Sequence, residues 1–323
     1  MFLPPFENFF FNNNTPHRKE CFMHVVTHGN LFHADDVFAM ATLRLLGLVT
    51  SLTRSINPAT FADPATLARA DARIDIGRKY NPETGDFDHH QEGGAGVRPN
   101  GVPYASFGLV WANYGAKLCG SLSHATVVDE RLVQTVDSRD VGHDLYPELN
   151  YPNIAPYSIS DAISAFNPPW HKKPQQRDFD KRFHDAVGYA MVALENEIVT
   201  AEGAAIAKET IDRALSKAGQ SPIIVLDRSC PRQELILDNA PYVLFMIVPT
   251  GGQWTVRVVQ ESRGILKARR YLPQNWAGKE KADFQGITGV PDAAFCHNSR
   301  FIAAAQSKNG ALALAMLALE SPV

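Results

Sequence analysis

The sequence predicts a two-domain α/β protein, and three observations carry that expectation. Residues 23 to 77 alternate strand, helix, strand, helix, strand, the order of a parallel sheet with helices on both faces. A long helical periodicity runs from about Asp178 to Ala218. From Ser221 the character changes to short β runs with a hairpin turn, which suits a second, smaller α/β domain. A chain of 323 residues also exceeds one average domain.

Each element has its own signal. Met23 to Thr27 reads as a buried strand that leads into a loop from His28 to His33. A helix is expected from Asp35 to Leu46, because Val37, Met40, Ala41, Leu45 and Leu48 recur at helical spacing. Asp35 and Asp36 suit its positive first turn. A strand at Leu52 to Ile56, a helix at Pro64 to Arg69 and a strand at Ala72 to Ile76 follow, the last closed by Gly77. Ligands collect outside the carboxyl ends of such strands, where His28 and Asp75 fall. After a loop rich in glycine and proline come helices near Ser106 to Leu118 and Asp129 to Asp137. Asn150 to Pro174 reads as irregular. In the second half, Ile223 to Leu226, Val243 to Val248 and Trp254 to Val259 are β runs, with Gly251-Gly252 as a hairpin turn. Ala293 to Cys296 and Phe301 to Ala305 precede a helix from Lys308 to Leu319. The expected divisions are a tail at 1–22, a metal-binding catalytic domain at 23–175, a connecting helix at 176–220 and a substrate-binding domain at 221–323.

Composition narrows the class. Hydrophobic residues make up 45% and charged residues 20%, as in soluble globular proteins. No apolar run is long enough to span a bilayer. A net charge of −3, from 31 basic and 34 acidic residues, argues against a general nucleic-acid coat but leaves room for a local basic groove. Basic residues do cluster at Lys172, Lys173, Arg177, Lys181 and Arg182, and again at Arg263, Lys267, Arg269 and Arg270. Paired aromatics on a sheet, a mark of RNA-binding modules, are not evident. Cys21, Cys119, Cys230 and Cys296 are far apart and form no zinc or disulfide framework, so a cytoplasmic setting is expected. Phe2, Phe6, Phe9, Phe10 and Phe11 precede three asparagines in a segment with neither a basic start nor a continuous apolar core. Those aromatics could anchor the tail to the body or to a partner chain; a homo-oligomer is kept open.

The chemistry-bearing residues are spread over several segments, each near an element end. His28, His33 and Asp35 flank one loop, and Asp75 stands amid strand residues, where a carboxylate is costly to bury unless paired or metal-bound. Asp88-His89-His90 is the sharpest local signal. Neighbouring side chains on an extended segment point to opposite sides, so one histidine could bind metal while the other meets substrate, with Asp88 orienting a ligating histidine. Asp137 is expected at the end of a helix, where the dipole opposes an acid and a cation or metal would relieve it; Asp140 is the competing choice. Oxygen and imidazole ligands of this kind suit a hydrolytic two-metal centre. Taken singly, each has a plainer reading as a cap, a turn or a polar loop.

As a set, these residues resemble the DHH phosphoesterase superfamily, and within it the melanocyte-proliferating-gene exonuclease family. The first motif is similar to Thr27-His28-Gly29-Asn30-Leu31-Phe32-His33-Ala34-Asp35-Asp36, the second to Asp75-Ile76-Gly77 with Tyr80-Asn81-Pro82, and the third to Phe87-Asp88-His89-His90-Gln91. A C-terminal signature resembles Gly286 to Pro291, Phe295-Cys296-His297 and Ser307-Lys308-Asn309-Gly310-Ala311. The resemblance implies a two-domain fold with metals in the first domain and substrate recognition in the second. It implies two divalent cations, Mn²⁺ or Mg²⁺, on His28, Asp35, Asp75, His89 and Asp137, with His33 as a ligand or phosphate contact and His90 facing the phosphate. It implies hydrolysis of a phosphodiester at the end of a short oligonucleotide or nucleotide by a metal-activated water. A phosphoanhydride hydrolase and a non-catalytic nucleotide-binding module are the alternatives. The chain departs from the family at Gly29-Asn30, at Asp36 and at Ala303-Ala304-Ala305-Gln306, where members carry Asn-Gly, Glu and a terminal Gly-Gly-His. Glycines there would let backbone approach a phosphate. His297, Arg300, Gln306 and Lys308 are the substrate-binding candidates that remain.

Overall fold

The computed structural model describes residues 22–56, 63–143, 145, 154–230, 234–262 and 267–322. The aromatic tail through residue 21, and Arg263 of the second basic cluster, lie outside them. The described residues form two compact units, one running through Glu202 and the other beginning at Gly203.

The first unit is built on a five-stranded sheet of β1 (Met23–His28), β2 (Val49–Ser55), β3 (Ala72–Ile74), β4 (Tyr80–Asn81) and β5 (Asp86–Phe87), in the order β2-β1-β3-β5-β4. The first four of these positions are parallel, and β4 closes the edge antiparallel to β5. The expected parallel sheet thus gains one antiparallel edge strand. β4 and β5 have two residues each, too few to leave a periodicity in the sequence. Two helices, α1 (Ala34–Leu45) and α2 (Pro64–Ala68), come between the strands. Then follow α3 (Ser106–Cys119), α4 (Leu122–Val128), α5 (Gln134–Asp140) and α6 (Ile159–Ser164). α4 and α5 are joined by one π-helical turn, Asp129–Val133. α6 lies in a stretch expected to be irregular; Ser158 and Asp161 form its capping box. The core buries Val25, Val37, Phe38, Met40, Ile74, Phe87 and Phe107 completely. Phe38 of α1 stacks on Phe107 of α3 at 5.2 Å, fixing the two helices that frame the sheet ends.

The long helix α7 (Gln176–Ala218) gives Phe183, Val187 and Leu194 to the first core and Ile211 and Ala214 to a cluster of the second unit. The second unit holds β6 (Ile223–Val225), α8 (Glu234–Asn239), β7 (Phe245–Thr250), β8 (Gln253–Val258), α9 (Lys281–Thr288), β9 (Ala293–Cys296), β10 (Ile302–Ala305) and α10 (Lys308–Glu320). Its sheet runs β6-β7-β8-β10-β9; β6 and β7 are parallel and the remaining pairs antiparallel. Ala303, Ala304 and Ala305 are fully buried, and Ala311, Leu314 and Ala315 of α10 share their core with Ala303 and Ala305. Among the described residues no helix is long and apolar enough to cross a membrane.

Candidate metal centre

The sheet of the first unit delivers its chemistry at the strand ends. β1 ends on His28, and the loop beyond it turns through Asn30 in the left-handed region (φ 60°) to reach α1. Asp35 and Asp36, in the first turn of α1, are fully buried. Asp35 is held by the N-terminus of α3: its Oδ2 accepts from the Ser106 N–H (3.0 Å) and its Oδ1 from the Phe107 N–H (2.6 Å). The Oδ1 of Asp36 accepts from the His33 N–H at 2.9 Å, and its Oδ2 lies 3.4 Å from Nε2 of His28.

Asp75 stands just past β3 with φ 55°, a conformation that side-chain-bearing residues adopt at some cost. Strain of this kind gathers where surrounding structure dictates the geometry. One carboxylate oxygen of Asp75 is 3.2 Å from His28 Nε2. The other accepts from Ser106 Oγ (3.3 Å) and lies 3.3 Å from His90 Nδ1 and 3.7 Å from His89 Nδ1. His89 reaches Asp140 through Nε2, at 3.2 Å. Among the described residues, three groups therefore have the spacing to hold a cation: His28 with His33 and Asp75; Asp75 with Asp88, His89 and His90; and Asp35 with His89 and Asp140. A cavity of about 380 Å³ opens onto them, lined by His28, His33, Asp75, Arg78, Asp88, His90 and Asp140.

The electrostatics fit a cation. Burial, together with Asp140, Asp75 and Asp137, holds the Asp35 carboxyl well above the usual range, and burial raises that of Asp36. Burial works against protonation of His28, yet Asp36 and Asp75 outweigh it and lift its pKa to about 9. Burial would likewise raise Asp75, but the neighbouring imidazoles, His28 first, bring it down to about 2. His28 Nε2 and Asp36 Oδ2 are buried without a well-formed hydrogen bond. Carboxylates crowded together, with imidazoles as their nearest cations and donor atoms left unpaired, are the donor set that divalent ions take up.

Several sequence expectations change here. His89 and His90 do not face opposite ways. β5 ends at Phe87, so the pair lies in a loop rather than on a strand, and the two rings stack at 4.2 Å. Asp88 orients His90, not His89: its Oδ1 accepts from the Nδ1 (2.8 Å) and backbone N–H (3.1 Å) of His90, while its Oδ2 accepts from the Arg78 N–H. Asp137 belongs to none of the three cation groups. It is fully buried against Arg98 (Nη1 to Oδ2, 2.8 Å) and accepts from the Gly108 N–H at 3.0 Å. Burial pushes its carboxyl up to about 7, with Arg98 opposing the rise. The cation that its helix position called for is an arginine, 39 residues upstream and invisible to local reading. Asp140, one turn on, faces the cavity instead. Gly108 is required by this approach, since a Cβ there would collide with the Asp137 carboxylate.

The substrate candidates of the second unit do not converge. Gln306 and Lys308 follow β10, whereas His297 and Arg300 precede it. Four strand residues, roughly 13 Å, separate the two pairs, so His297 and Arg300 cannot stand in at Gln306. Gln306 lines a cavity of about 450 Å³ with Gln253, Lys281 and Asp292, and Lys308 Nζ sits 5.8 Å over the Trp254 ring. The N-terminus of α10 is already filled by Asp292, whose Oδ2 accepts from the Ser307 N–H at 2.7 Å.

Comparison with known proteins bears on most of the chain. A rat protein named MYG1 exonuclease is 28% identical over 91% of this chain and 84% of its own length. A MYG1 protein of Schizosaccharomyces pombe is 27% identical over 92% of this chain and 98% of its own. A solved structure titled pGpG-specific phosphodiesterase, from Vibrio cholerae, covers 91% of this chain and 96% of its own at 11% identity and a TM-score of 0.31. The family model for MYG1 exonucleases, described as an uncharacterised protein family (UPF0160), matches residues 24–319, and the chain belongs to that family.

Proposed function

We propose that the protein hydrolyses phosphodiester bonds of short oligonucleotides with two divalent cations, Mn²⁺ in preference to Mg²⁺. The observation that carries this reading is Asp75, a buried carboxylate common to two of the three cation groups. A shared carboxylate suits ions about 3.5–4 Å apart, which acidify a water and screen the charge growing on phosphate oxygens. His28, His33, Asp35, Asp75, His89 and Asp140 would hold them, a mixture of imidazole and carboxylate that suits Mn²⁺ better than the all-oxygen preference of Mg²⁺. Asp88 accepts a hydrogen bond from Nδ1 of His90 and so favours the charged imidazolium. That leaves Nε2 to donate to a phosphate oxygen in the cavity. Arg78, in the same wall, adds a fixed cation. The exonuclease name of the rat relative supports a nucleic-acid substrate.

The test is Mn²⁺-dependent release of nucleotides from an end-labelled short RNA. Asp75→Ala is expected to abolish it, and full activity in that variant would overturn the two-cation reading. Release of phosphate from pyrophosphate with oligonucleotides untouched would move the substrate to phosphoanhydrides. Tight RNA binding without cleavage in Mn²⁺, Mg²⁺ and Co²⁺ would make the protein a binding module.

A further inference from the structure

The second unit has a groove of about 790 Å³ at the end of its sheet away from the N-terminus of α10. That volume is within the roughly 300–1,000 Å³ of small-molecule clefts. Arg257 of β8 and Ile302 of β10, register partners, form its floor with Val258. Its walls carry Tyr271 and Phe301. These aromatics are 38% and 46% exposed, although each already has a partner. The Arg300 guanidinium lies 5.2 Å from the Tyr271 ring centre, and the His297 ring 4.5 Å from that of Phe301. Arg300 is pinned over the tyrosine by its own hydrogen bond to the Leu272 carbonyl (3.2 Å) and by a left-handed backbone (φ 57°) in the tight β9–β10 turn.

The charge of this groove is one-sided. Among the described residues, Arg257 donates to the hydroxyls of Thr250 and Thr255, at 3.2 and 3.3 Å. Among the described residues no carboxylate pairs with Arg257 or Arg300, and none lines the groove. Exposed aromatic faces beside unpaired arginines are what single-stranded nucleic acid uses: bases stack on the rings and phosphates meet the guanidinium groups. The sequence hid this pairing, because Tyr271 and Phe301 are 30 residues apart and the segments meet through the hydrogen bond from the Leu272 N–H to the Arg300 carbonyl.

We propose that this groove binds a single-stranded oligonucleotide, with one base stacked on Phe301 and Tyr271 and the adjoining phosphate on Arg257. It is a site additional to the cation cluster and does not depend on hydrolysis. The test is fluorescence anisotropy of a labelled six-nucleotide RNA with the full chain in EDTA, titrated at several salt concentrations. Phe301→Ala is expected to weaken binding about tenfold, and Phe301→Tyr to restore it. Arg257→Gln is expected to weaken binding and to lower the salt slope by about one. Wild-type affinity and salt slope in both variants, each melting as the wild type does, would overturn the proposal, as would a wild-type chain that binds no RNA. Because the readout is binding without metal, a protein that binds RNA through this groove yet hydrolyses nothing would refute the phosphodiesterase reading alone.

Discussion

Asp35 and Asp292 each sit on the N-terminus of a helix, and the comparison separates the two units. Asp35 takes the first N–H groups of α3, and Asp292 takes that of Ser307 at the start of α10. In the second unit one carboxylate fills one helix end, beside a cavity that carries Lys281 as well as Glu280. In the first unit the helix dipole satisfies Asp35 but leaves Asp36, Asp75 and Asp140 around it with imidazoles as partners. A helix end therefore says where negative charge belongs. An excess of carboxylates beyond what helix ends and arginines can neutralise says where a cation from solution belongs. Asp137 marks the border between these regimes, since Arg98 neutralises it from within.

That border can be broken. Arg98→Ala leaves Asp137 and Asp129 buried without their cation, and unfolding should become easier by about 3–5 kcal/mol in urea titration. A variant as stable as the wild type would put Asp137 back among the candidate cation ligands. The next effect is pH dependence of the metal-free protein. The His28 pKa is about 9 in the folded chain and 6.5 in the unfolded one. Its contribution is therefore complete below pH 6.5 and lost as pH rises to 9, by at most about 3 kcal/mol. Melting temperatures in EDTA should fall over that window. With saturating Mn²⁺ the trend should reverse, because protons then compete with the ion for imidazole. Mn²⁺ itself, at a hundred times its Kd, should add about 2.7 kcal/mol of stability, measurable by calorimetry. Asp140→Ala should remove much of that gain and Asp137→Ala little of it. The smallest effect belongs to the second unit. Asp292→Ala removes a helix-end partner and should cost about 1 kcal/mol. Equal Mn²⁺ stabilisation in that variant and the wild type would sharpen the contrast between the units.

Much of this was legible in the sequence, for identifiable reasons. α10 begins where the residue pattern placed it, and α1 within one residue, because each presents a run long enough for a period. His28, Asp35, Asp75 and His89 were readable as a set because each falls next to an element end. What escaped was whatever depended on partners distant in sequence. The Arg98–Asp137 pair joins residues 39 apart, the stacking of His89 on His90 follows from β5 ending early, and Asp292 fills a helix 15 residues later. Strands of two residues such as β4 left no pattern to read.

The π-helical turn between α4 and α5 has a consequence for how this chain could change over time. An α-helix advances 100° per residue, so Asp137 and Asp140 keep nearly one direction relative to each other, and Arg98 and His89 must be met by the same stretch of backbone. The wider turn at Asp129–Val133 holds one more residue than an α turn would. Losing that residue would leave a regular helix of good local stability and swing both aspartates about a quarter-turn away from their partners. The segment would thus tolerate substitution far better than deletion, and a one-residue gap there in a related chain would mark a protein whose cation cluster has been rebuilt.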